Sequence, residues 1–418
     1  MTLPHAEGMQ IAARTPRKDW TVLYYLNGNN DLEPHLVKNL MDVEKVGSSD
    51  RVTIAAQLSR APQKLVHGPG SRKKTRLDGD WTGMRRYVVN AHSSRTRLGS
   101  EPVHLQEHSP NHGEAATLRD FLRWGMENFP ARHYMVVVGD HGKGFEGTGF
   151  DYLHKDVLDL KEFKQALEES GLKPDVLVMD ACEMGAVEVA YQLRDSARYL
   201  VASEEIIGTQ GLPHREFLQH LSAQPELKPE ALARELVQIS SEDSFDDVER
   251  GKDPAAEQLA AIRLGQMEPL ANRLAELGKA LASSSWSRTR LKELIEETQH
   301  FNLVSSQKPD SDYRDIAHFC QLLQAECPDA AVVLKAGAVE KALRAAVLEN
   351  HCSGQELTDG NGLSVYLPAG KIPQASKAVK APNGKEAFAR SSLSYRELEF
   401  DRATGWSKWL DRRFGRSR

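Results

Sequence analysis

Short runs of aliphatic and aromatic residues alternate with longer amphipathic stretches through the first half of the chain. The runs are nearly continuous in Val, Ile, Leu and Tyr, which is typical of strands buried on both faces of a parallel sheet. The six predicted strands are 21–26, 51–58, 85–90, 134–140, 175–180 and 198–203. This alternation predicts an α/β fold in which helices flank a mostly parallel sheet.

The stretches between these strands carry helix signals. The predicted helices are 31–46, 114–128, 160–170 and 183–193. Asn30 and Asp31 are candidate capping residues for the first helix, and Gly171 with Pro174 beyond it ends the third. The segment 59–84 is instead rich in Gly and Pro, which predicts a loop or hairpin before the third strand.

After about residue 214 the pattern becomes largely helical, with predicted helices at 228–242, 266–283, 288–300 and 329–349. Two strand-like runs, 258–264 and 362–368, interrupt these helices and are candidates to return to the sheet. We interpret the chain as an N-terminal tail, a sheet-containing core, a helical extension, and a linker with a final helix. The boundaries of these parts are 1–19, 20–222, 223–368 and 369–418.

Composition narrows the class of protein. The 418 residues are 40% hydrophobic and 27% charged, as in globular proteins, and the net charge of −5 disfavours binding to nucleic acid. Residues 1–20 lack the apolar segment of a signal peptide, and no apolar run has the length of a membrane span. We therefore expect a cytoplasmic protein without a membrane or nucleic-acid partner. Four cysteines without a C-x-x-C pair predict neither a disulfide framework nor a zinc site.

Two of the predicted strands end in reactive side chains. Asp140 and His141 follow one of them, and Asp180 and Cys182 follow the next one along the chain. The carboxyl ends of parallel strands meet at one edge of a sheet, and neighbouring strands lie about 4.8 Å apart. If these two strands are neighbours, an imidazole and a thiol approach the same substrate atom.

A Cys/His pair of this kind suits acyl transfer. Cys182 lies just before the predicted helix 183–193, and a helix N-terminus lowers the pKa of a thiol. The thiolate would attack a carbonyl carbon, His141 would protonate the leaving amine, and the Gly142 N–H would approach the oxyanion. A single buried cysteine is usually a small hydrophobe, and a single histidine after a strand is usually a turn residue. Their matching positions favour a site.

The sequence resembles the clostripain family of cysteine peptidases, the C11 group of the caspase-like clan. The segments that carry the resemblance are 20–60, 79–89, 111–145, 158–167, 176–195, 200–214 and 362–368, including "VVVGDHGKGF" and "VLVMDACEMG". The resemblance implies a caspase-like fold and a catalytic dyad of His141 and Cys182. It also implies an oxyanion hole from the backbone of Gly142 and Cys182, with Asp180 near the substrate pocket.

Further expectations follow from the same resemblance. Family members typically cleave after basic residues, often mature by cutting themselves between the His and Cys segments, and in some cases respond to calcium. Lys155 is the candidate position for self-cleavage, and Glu204 and Gln210 are candidate substrate-binding residues. Gln210 and Leu212 stand where the family usually has an acidic residue and a Trp, so we expect a less acidic pocket. No cofactor is required, and no metal ligands are predicted.

Two other motifs suggest different chemistry. Residues 142–147, "GKGFEG", match the G-x-G-x-x-G turn of dinucleotide-binding proteins, but no helix is predicted to begin at the third glycine. His104, His108 and His112 recur at intervals of four, which on a helix would form a metal-binding face. Pro110 and the polar residues around it predict a loop there instead.

The sequence therefore predicts a cysteine endopeptidase that acts on a protein or peptide substrate and is regulated by an activating partner, an ion or self-cleavage. The leading alternative is a catalytically silent caspase-like scaffold or binding module, since a sequence can keep the Cys/His pair while the pocket is closed.

Overall fold

The computed structural model describes most of the chain from Arg17 to Gly415. The described residues are 17–62, 65, 76–249, 257–301, 311–354, 356–372, 379–380, 387–389 and 393–415. The predicted tail 1–19 and linker 369–393 therefore lie largely outside the described residues.

A nine-stranded sheet forms the centre of the protein, in the order β12-β10-β9-β8-β5-β1-β2-β3-β4. These strands are β1 Lys18–Gly28, β2 Val52–Arg60, β3 Gly83–Val88, β4 Pro102–Gln106, β5 Ala131–Gly139, β8 Val176–Asp180, β9 Tyr199–Ala202, β10 Glu257–Arg263 and β12 Val347–Ser353. Strands β2, β1, β5, β8 and β9 are parallel to one another. The pairings outside them are antiparallel: β9 with β10, β10 with β12, β2 with β3, and β3 with β4. The predicted mostly parallel sheet is confirmed.

Three small two-stranded sheets lie outside the central one. They pair β6 Thr148–Asp151 with β7 Asp156–Leu158, β11 Tyr313–Asp315 with β13 Ser364–Tyr366, and β14 Val379–Lys380 with β15 Ala387–Ala389. The first of these sheets is a hairpin between β5 and the next helix of the chain. It carries the predicted self-cleavage residue Lys155.

Helices cover both faces of the central sheet. They are α1 Glu33–Glu44, α2 Ala115–Asn128, α3 Leu160–Ser170, α4 Val187–Gln192, α5 His214–Ala223, α6 Pro229–Glu249, α7 Met267–Ser283, α8 Arg288–Glu297, α9 Ile316–Glu326, α10 Ala330–Ala346, α11 Glu399–Thr404 and α12 Trp406–Phe414. Alternate residues of β1 separate the two cores: Leu23 and Tyr25 pack on one face, and Tyr24 and Leu26 pack on the other.

The C-terminal half departs from the prediction in two places. The run 362–368 does not join the central sheet, because β13 within it pairs with β11 instead. The predicted helix 329–349 ends at Ala346, and its last residues begin β12, which pairs with β10. Two strands, β10 and β12, thus return to the sheet as the fold class predicted, but only β10 was identified in the sequence.

The final helix packs on the body of the protein. It is broken at Gly405, which has a φ of 65° and separates α11 from α12. Trp406 and Trp409 are buried in the same core as the helices α7 and α10. No helix within the described ranges combines the length and the apolar character that crossing a bilayer demands.

Candidate active site

Strands β5 and β8 bring the two reactive segments to one edge of the sheet. The strands are parallel neighbours, Gly139 is paired with Asp180, and the Asp140 N–H donates to the Asp180 carbonyl oxygen at 3.3 Å. His141 and Cys182 follow this pair by two residues each. They therefore leave the sheet at corresponding positions, as the sequence predicted.

Gly142 lies in direct contact with the cysteine segment. A Cβ atom on Gly142 would lie 2.3 Å from the Cys182 carbonyl oxygen and 3.0 Å from the Ala181 Cβ, so a larger residue would force the segments apart. The Lys143 N–H, rather than that of Gly142, donates to the Gly147 carbonyl oxygen at 3.0 Å. This bond leaves the Gly142 N–H out of the turn that follows.

The glycine-rich turn does not have the context of a dinucleotide-binding site. Gly144–Glu146 forms a single 3-10 turn, and β6 begins directly after it at Thr148. A helix N-terminus, which would hold the pyrophosphate, is absent at the third glycine, Gly147. The turn instead packs against β11, where the Tyr313 hydroxyl accepts a hydrogen bond from the Phe145 N–H at 2.7 Å.

Cys182 lies in a tight turn between β8 and α4. Glu183 has a φ of 58°, an uncommon left-handed conformation for a residue other than glycine, and its N–H donates to the Glu205 carbonyl oxygen at 3.1 Å. The Gly185 N–H donates to the Ser203 carbonyl oxygen at 2.7 Å. These two bonds fix the turn against the segment after β9 and leave Cys182 partly exposed.

The prediction that a helix N-terminus lowers the pKa of Cys182 is wrong. Helix α4 begins at Val187 rather than at residue 183, so its N-terminus is five residues away from Cys182 along the chain. Burial raises the pKa of Cys182 to about 12, and the carboxylates of Glu183, Asp180 and Glu205 add to the rise. A hydrogen bond to the Ile207 carbonyl oxygen, 3.9 Å from Sγ, opposes it only in part. The resting thiol is therefore protonated at neutral pH.

His141 is held by a carboxylate that the sequence analysis assigned to helix capping. The His141 Nε2 lies 2.9 Å from Asp31 Oδ1. Burial acts to raise the pKa of Asp31, but the hydrogen bond to His141, the charge of His141 and the nearby Tyr152 outweigh burial and hold the pKa below its usual value. The ring of Tyr152 lies parallel to the imidazole, with 6.3 Å between the ring centroids and 9° between the planes.

Asp140 caps the turn that begins at His141 and does not contact the imidazole. Its Oδ1 accepts the His141 N–H and the Asn30 side-chain amide, both at 2.6 Å. Its Oδ2 accepts the Asn27 side-chain amide, also at 2.6 Å. Asn27 at the end of β1 and Asn30 after it thus hold the histidine segment through two bonds to one buried carboxylate.

The Asp180 carboxylate forms hydrogen bonds to other residues of the protein. Its Oδ2 lies 2.9 Å from His214 Nε2, and its Oδ1 accepts the Leu212 N–H at 3.2 Å. A Cβ on Gly211, which has a φ of 71°, would lie 2.7 Å from the same Oδ2. The carboxylate therefore fixes the loop 208–214 beside the Cys182 turn. Its contact with a substrate stays a prediction.

The two other candidate substrate-binding residues lie in different environments. Glu204 is fully buried and accepts the Gly362 N–H at 2.7 Å, and burial together with the nearby Asp315 raises its pKa well above the usual value. This burial argues against substrate contact, so the assignment of Glu204 is corrected to a structural role. Gln210 is exposed, and its Oε1 accepts the Lys38 ammonium at 2.7 Å. Its role stays a prediction.

The three histidines spaced at intervals of four do not lie on one helical face. His104 lies on β4, His108 in the loop after it, and His112 is buried with its Nε2 2.5 Å from Ser59 Oγ. Across the part of the chain that the structure describes, no group of three or more His, Cys, Asp or Glu side chains is arranged to hold a metal ion. The calcium response that the resemblance implies stays a prediction.

We expect a pH-dependent loss of stability from the residue next to Cys182. Burial raises the pKa of Glu183 to about 7, against a usual value of about 4.3. The protonated carboxyl is thus favoured in the folded state, so its contribution to stability is complete below about pH 4 and is lost as the pH rises to about 7. At pH 8, Glu183→Gln should raise the free energy of unfolding by roughly 1 to 3 kcal/mol relative to the wild type.

Urea denaturation of both proteins from pH 4 to pH 8 measures this difference, which should vanish at pH 4. Glu188, whose pKa burial also raises to about 7, stays in both proteins and provides the common background. If the two proteins lose stability in parallel between pH 4 and pH 7, ionisation of Glu183 is not the cause.

Comparison with known proteins identifies the family. Residues 89–412 match the sequence model of the clostripain family, Peptidase C11, and this match covers more than half of the chain. The chain belongs to the clostripain family. Clostripain of Hathewaya histolytica is 26% identical over 230 residues, a match that covers 49% of this chain and 42% of that protein. The chain thus matches less than half the length of this curated relative.

Solved structures of C11 peptidases share the fold of this clostripain-family chain. An inactive zymogen C11 protease from Parabacteroides distasonis has a TM-score of 0.65 and 16% identity, covering 93% of this chain and 99% of that one. A secreted C11 cysteine protease from Bacteroides thetaiotaomicron has a TM-score of 0.66 and 14% identity, with the same coverage. The predicted caspase-like α/β fold is confirmed.

Proposed function

We propose that the protein is a cysteine endopeptidase in which Cys182 and His141 form the catalytic dyad. The observation that carries this proposal is the register of β5 and β8, which places both residues two positions beyond one paired point at the edge of the sheet. Membership of the clostripain family supports the same activity. The substrate is then a protein or peptide.

The chemistry begins with a proton transfer. Because burial raises the pKa of Cys182 to about 12, His141 must accept the thiol proton as the sulfur attacks the carbonyl carbon of the scissile bond. The oxyanion that forms would be bound by the backbone N–H groups of Gly142 and Cys182. The imidazolium then protonates the leaving amine, the C–N bond breaks, and water hydrolyses the thioester to release the acid and restore the thiol.

The charges around Cys182 favour substrates with a basic residue before the cut. Asp180 and Glu205 are close enough to contribute to the raised pKa of the thiol, which supports a negative potential at the site. Glu183 adds its charge above its own pKa of about 7. Gln210 stands where the family usually has an acidic residue and adds no charge. We therefore propose a preference for Lys or Arg that is weaker than in relatives with that additional acid.

Self-cleavage after Lys155 is expected to accompany activation. Lys155 is exposed in the hairpin turn between β6 and β7 and has a φ of 58°. Lys155→Gln should leave a single chain where the wild type yields two fragments. Lys161→Gln, an exposed lysine on α3 that pairs with Glu397 at 3.0 Å, is the matched control and should be cut normally. Mass spectrometry of fully active wild type that finds one intact chain would contradict self-cleavage.

Cleavage of a diverse peptide mixture, read by mass spectrometry, tests the activity and the preference together. Products should end in Lys or Arg, and their formation should stop when a thiol-alkylating reagent modifies Cys182. A product set without basic ends would leave the dyad intact and overturn the specificity. Calcium dependence is tested by adding chelator to the same reaction, and the cytoplasmic location stays a prediction.

A further inference from the structure

We infer that Asp31 is the positioning residue of the catalytic histidine, so that the site works as a Cys182–His141–Asp31 triad; this inference rests on the proposed function. The contact that carries it is the 2.9 Å distance between His141 Nε2 and Asp31 Oδ1. Asp31 lies on the segment after β1, more than 100 residues from His141 in the chain. The fold alone brings them together.

The ionisation of Asp31 fixes the proton on the ring. Because the pKa of Asp31 lies below its usual value, the carboxylate is charged at neutral pH and accepts only. His141 Nε2 must then carry a hydrogen and donate a hydrogen bond to Asp31. The second ring nitrogen, Nδ1, is unprotonated in this tautomer. It is therefore the atom that accepts the proton of Cys182 and passes it to the leaving amine.

Asp31 also stabilises the charged intermediate state. When His141 accepts the thiol proton, the imidazolium lies beside a carboxylate that is already ionised, so the ion pair forms without moving a side chain. The carboxylate of Asp31 is 38% exposed and the imidazole only 12% exposed, so solvent moderates this effect without removing it.

Two neighbours hold the carboxylate in place. Tyr152 lies close enough to Asp31 to lower the pKa of that carboxyl, while its ring lies parallel to the imidazole. On the other side, Asn30 accepts the Leu32 N–H at 2.9 Å and donates to Asp140 at 2.6 Å, which fixes the backbone on both sides of Asp31. A side chain that served only to cap α1 would not need these contacts, and Leu32 rather than Asp31 occupies the N-cap position.

Asp31→Asn tests the assignment, because an amide no longer enforces a proton on Nε2. With a fixed peptide substrate we expect kcat to fall about 10- to 100-fold while KM changes less than about twofold. Asp42→Asn is the matched control: Asp42 is a carboxylate on α1 with 32% exposure that pairs with Lys45 and not with His141. It should keep wild-type kcat.

A second readout separates positioning from folding and from catalysis. In ¹⁵N-histidine spectra, with signals of His141 assigned by His141→Gln, the Nε2–H tautomer should dominate in wild type and in Cys182→Ala, and should give way to a mixture in Asp31→Asn. An unchanged tautomer together with wild-type kcat in Asp31→Asn would overturn the inference. Full activity of Cys182→Ala would instead overturn the proposed function, and the spectra would still decide the role of Asp31.

Discussion

Replacing Cys182 with Ala should reduce peptide cleavage more than about 10⁴-fold, since the other three cysteines, all within the described residues, lie on or next to α9 and on β12. The sulfur is the atom that forms the covalent bond to the substrate, so its loss removes the reaction path rather than weakening one interaction. Because Cys182 is partly exposed, the free energy of unfolding should change by no more than about 1 to 2 kcal/mol. Initial rates with one Lys-ended substrate and thermal denaturation measure the two effects.

Cys352→Ala is the matched control. Cys352 is also partly exposed, and burial raises its pKa to about 12, as it does for Cys182. It lies on the edge strand β12, however, where its thiol donates to the Gly360 carbonyl oxygen. This variant should keep wild-type rates. Retention of activity by Cys182→Ala would rule out the proposed nucleophile. Complete inactivity of the wild-type protein on a diverse mixture would favour the silent scaffold.

The fold of the parallel core could be predicted because each of its strands is buried on both faces. All nine positions of β2 are buried. A strand buried in this way is rich in Val, Ile, Leu and Ala, and such a run can be recognised in the sequence alone. The edge strand β4 was missed because it contains no buried apolar run: its first residue is half-buried and the other four are exposed. Strand β12 was missed for a related reason: its residues are all half-buried and continue the periodicity of α10.

The reactive pair could be predicted because each member follows a recognisable strand, but its supporting residues could not. Asn30 and Asp31 carry an ordinary helix-capping signal, and their partners, Asp140 and His141, are over 100 residues away. Local pattern cannot reveal which of two functions such residues serve. The excess of Asn and Asp in "NGNND" is the one available signal, since four polar residues directly after a buried strand need partners.

Asp140→Ala is expected to destabilise the fold more than any other single change near the site. The carboxylate accepts three hydrogen bonds of 2.6 Å from Asn27, Asn30 and the His141 N–H. Truncation would leave the His141 N–H without this acceptor, and Asn27 and Asn30 would each keep only the bond to the Phe150 carbonyl oxygen. The free energy of unfolding should fall by about 3 kcal/mol or more. In the molecules that remain folded, release of the histidine segment should lower kcat about 100-fold. Asp140→Asn keeps one acceptor oxygen and should fall between this variant and the wild type in both measurements.

Asp175→Ala separates the loss of stability from the loss of kcat, because it removes a similar carboxylate from the opposite end of the same strands. Asp175 accepts the Tyr134 N–H at 3.1 Å and contacts His133 and Arg198, far along β5 and β8 from His141. Its loss should also destabilise the fold, yet kcat per folded molecule should stay at the wild-type value. Equal losses of kcat in Asp140→Ala and Asp175→Ala, at a temperature where both are folded, would mean that general loosening of the sheet, rather than placement of His141, controls the rate.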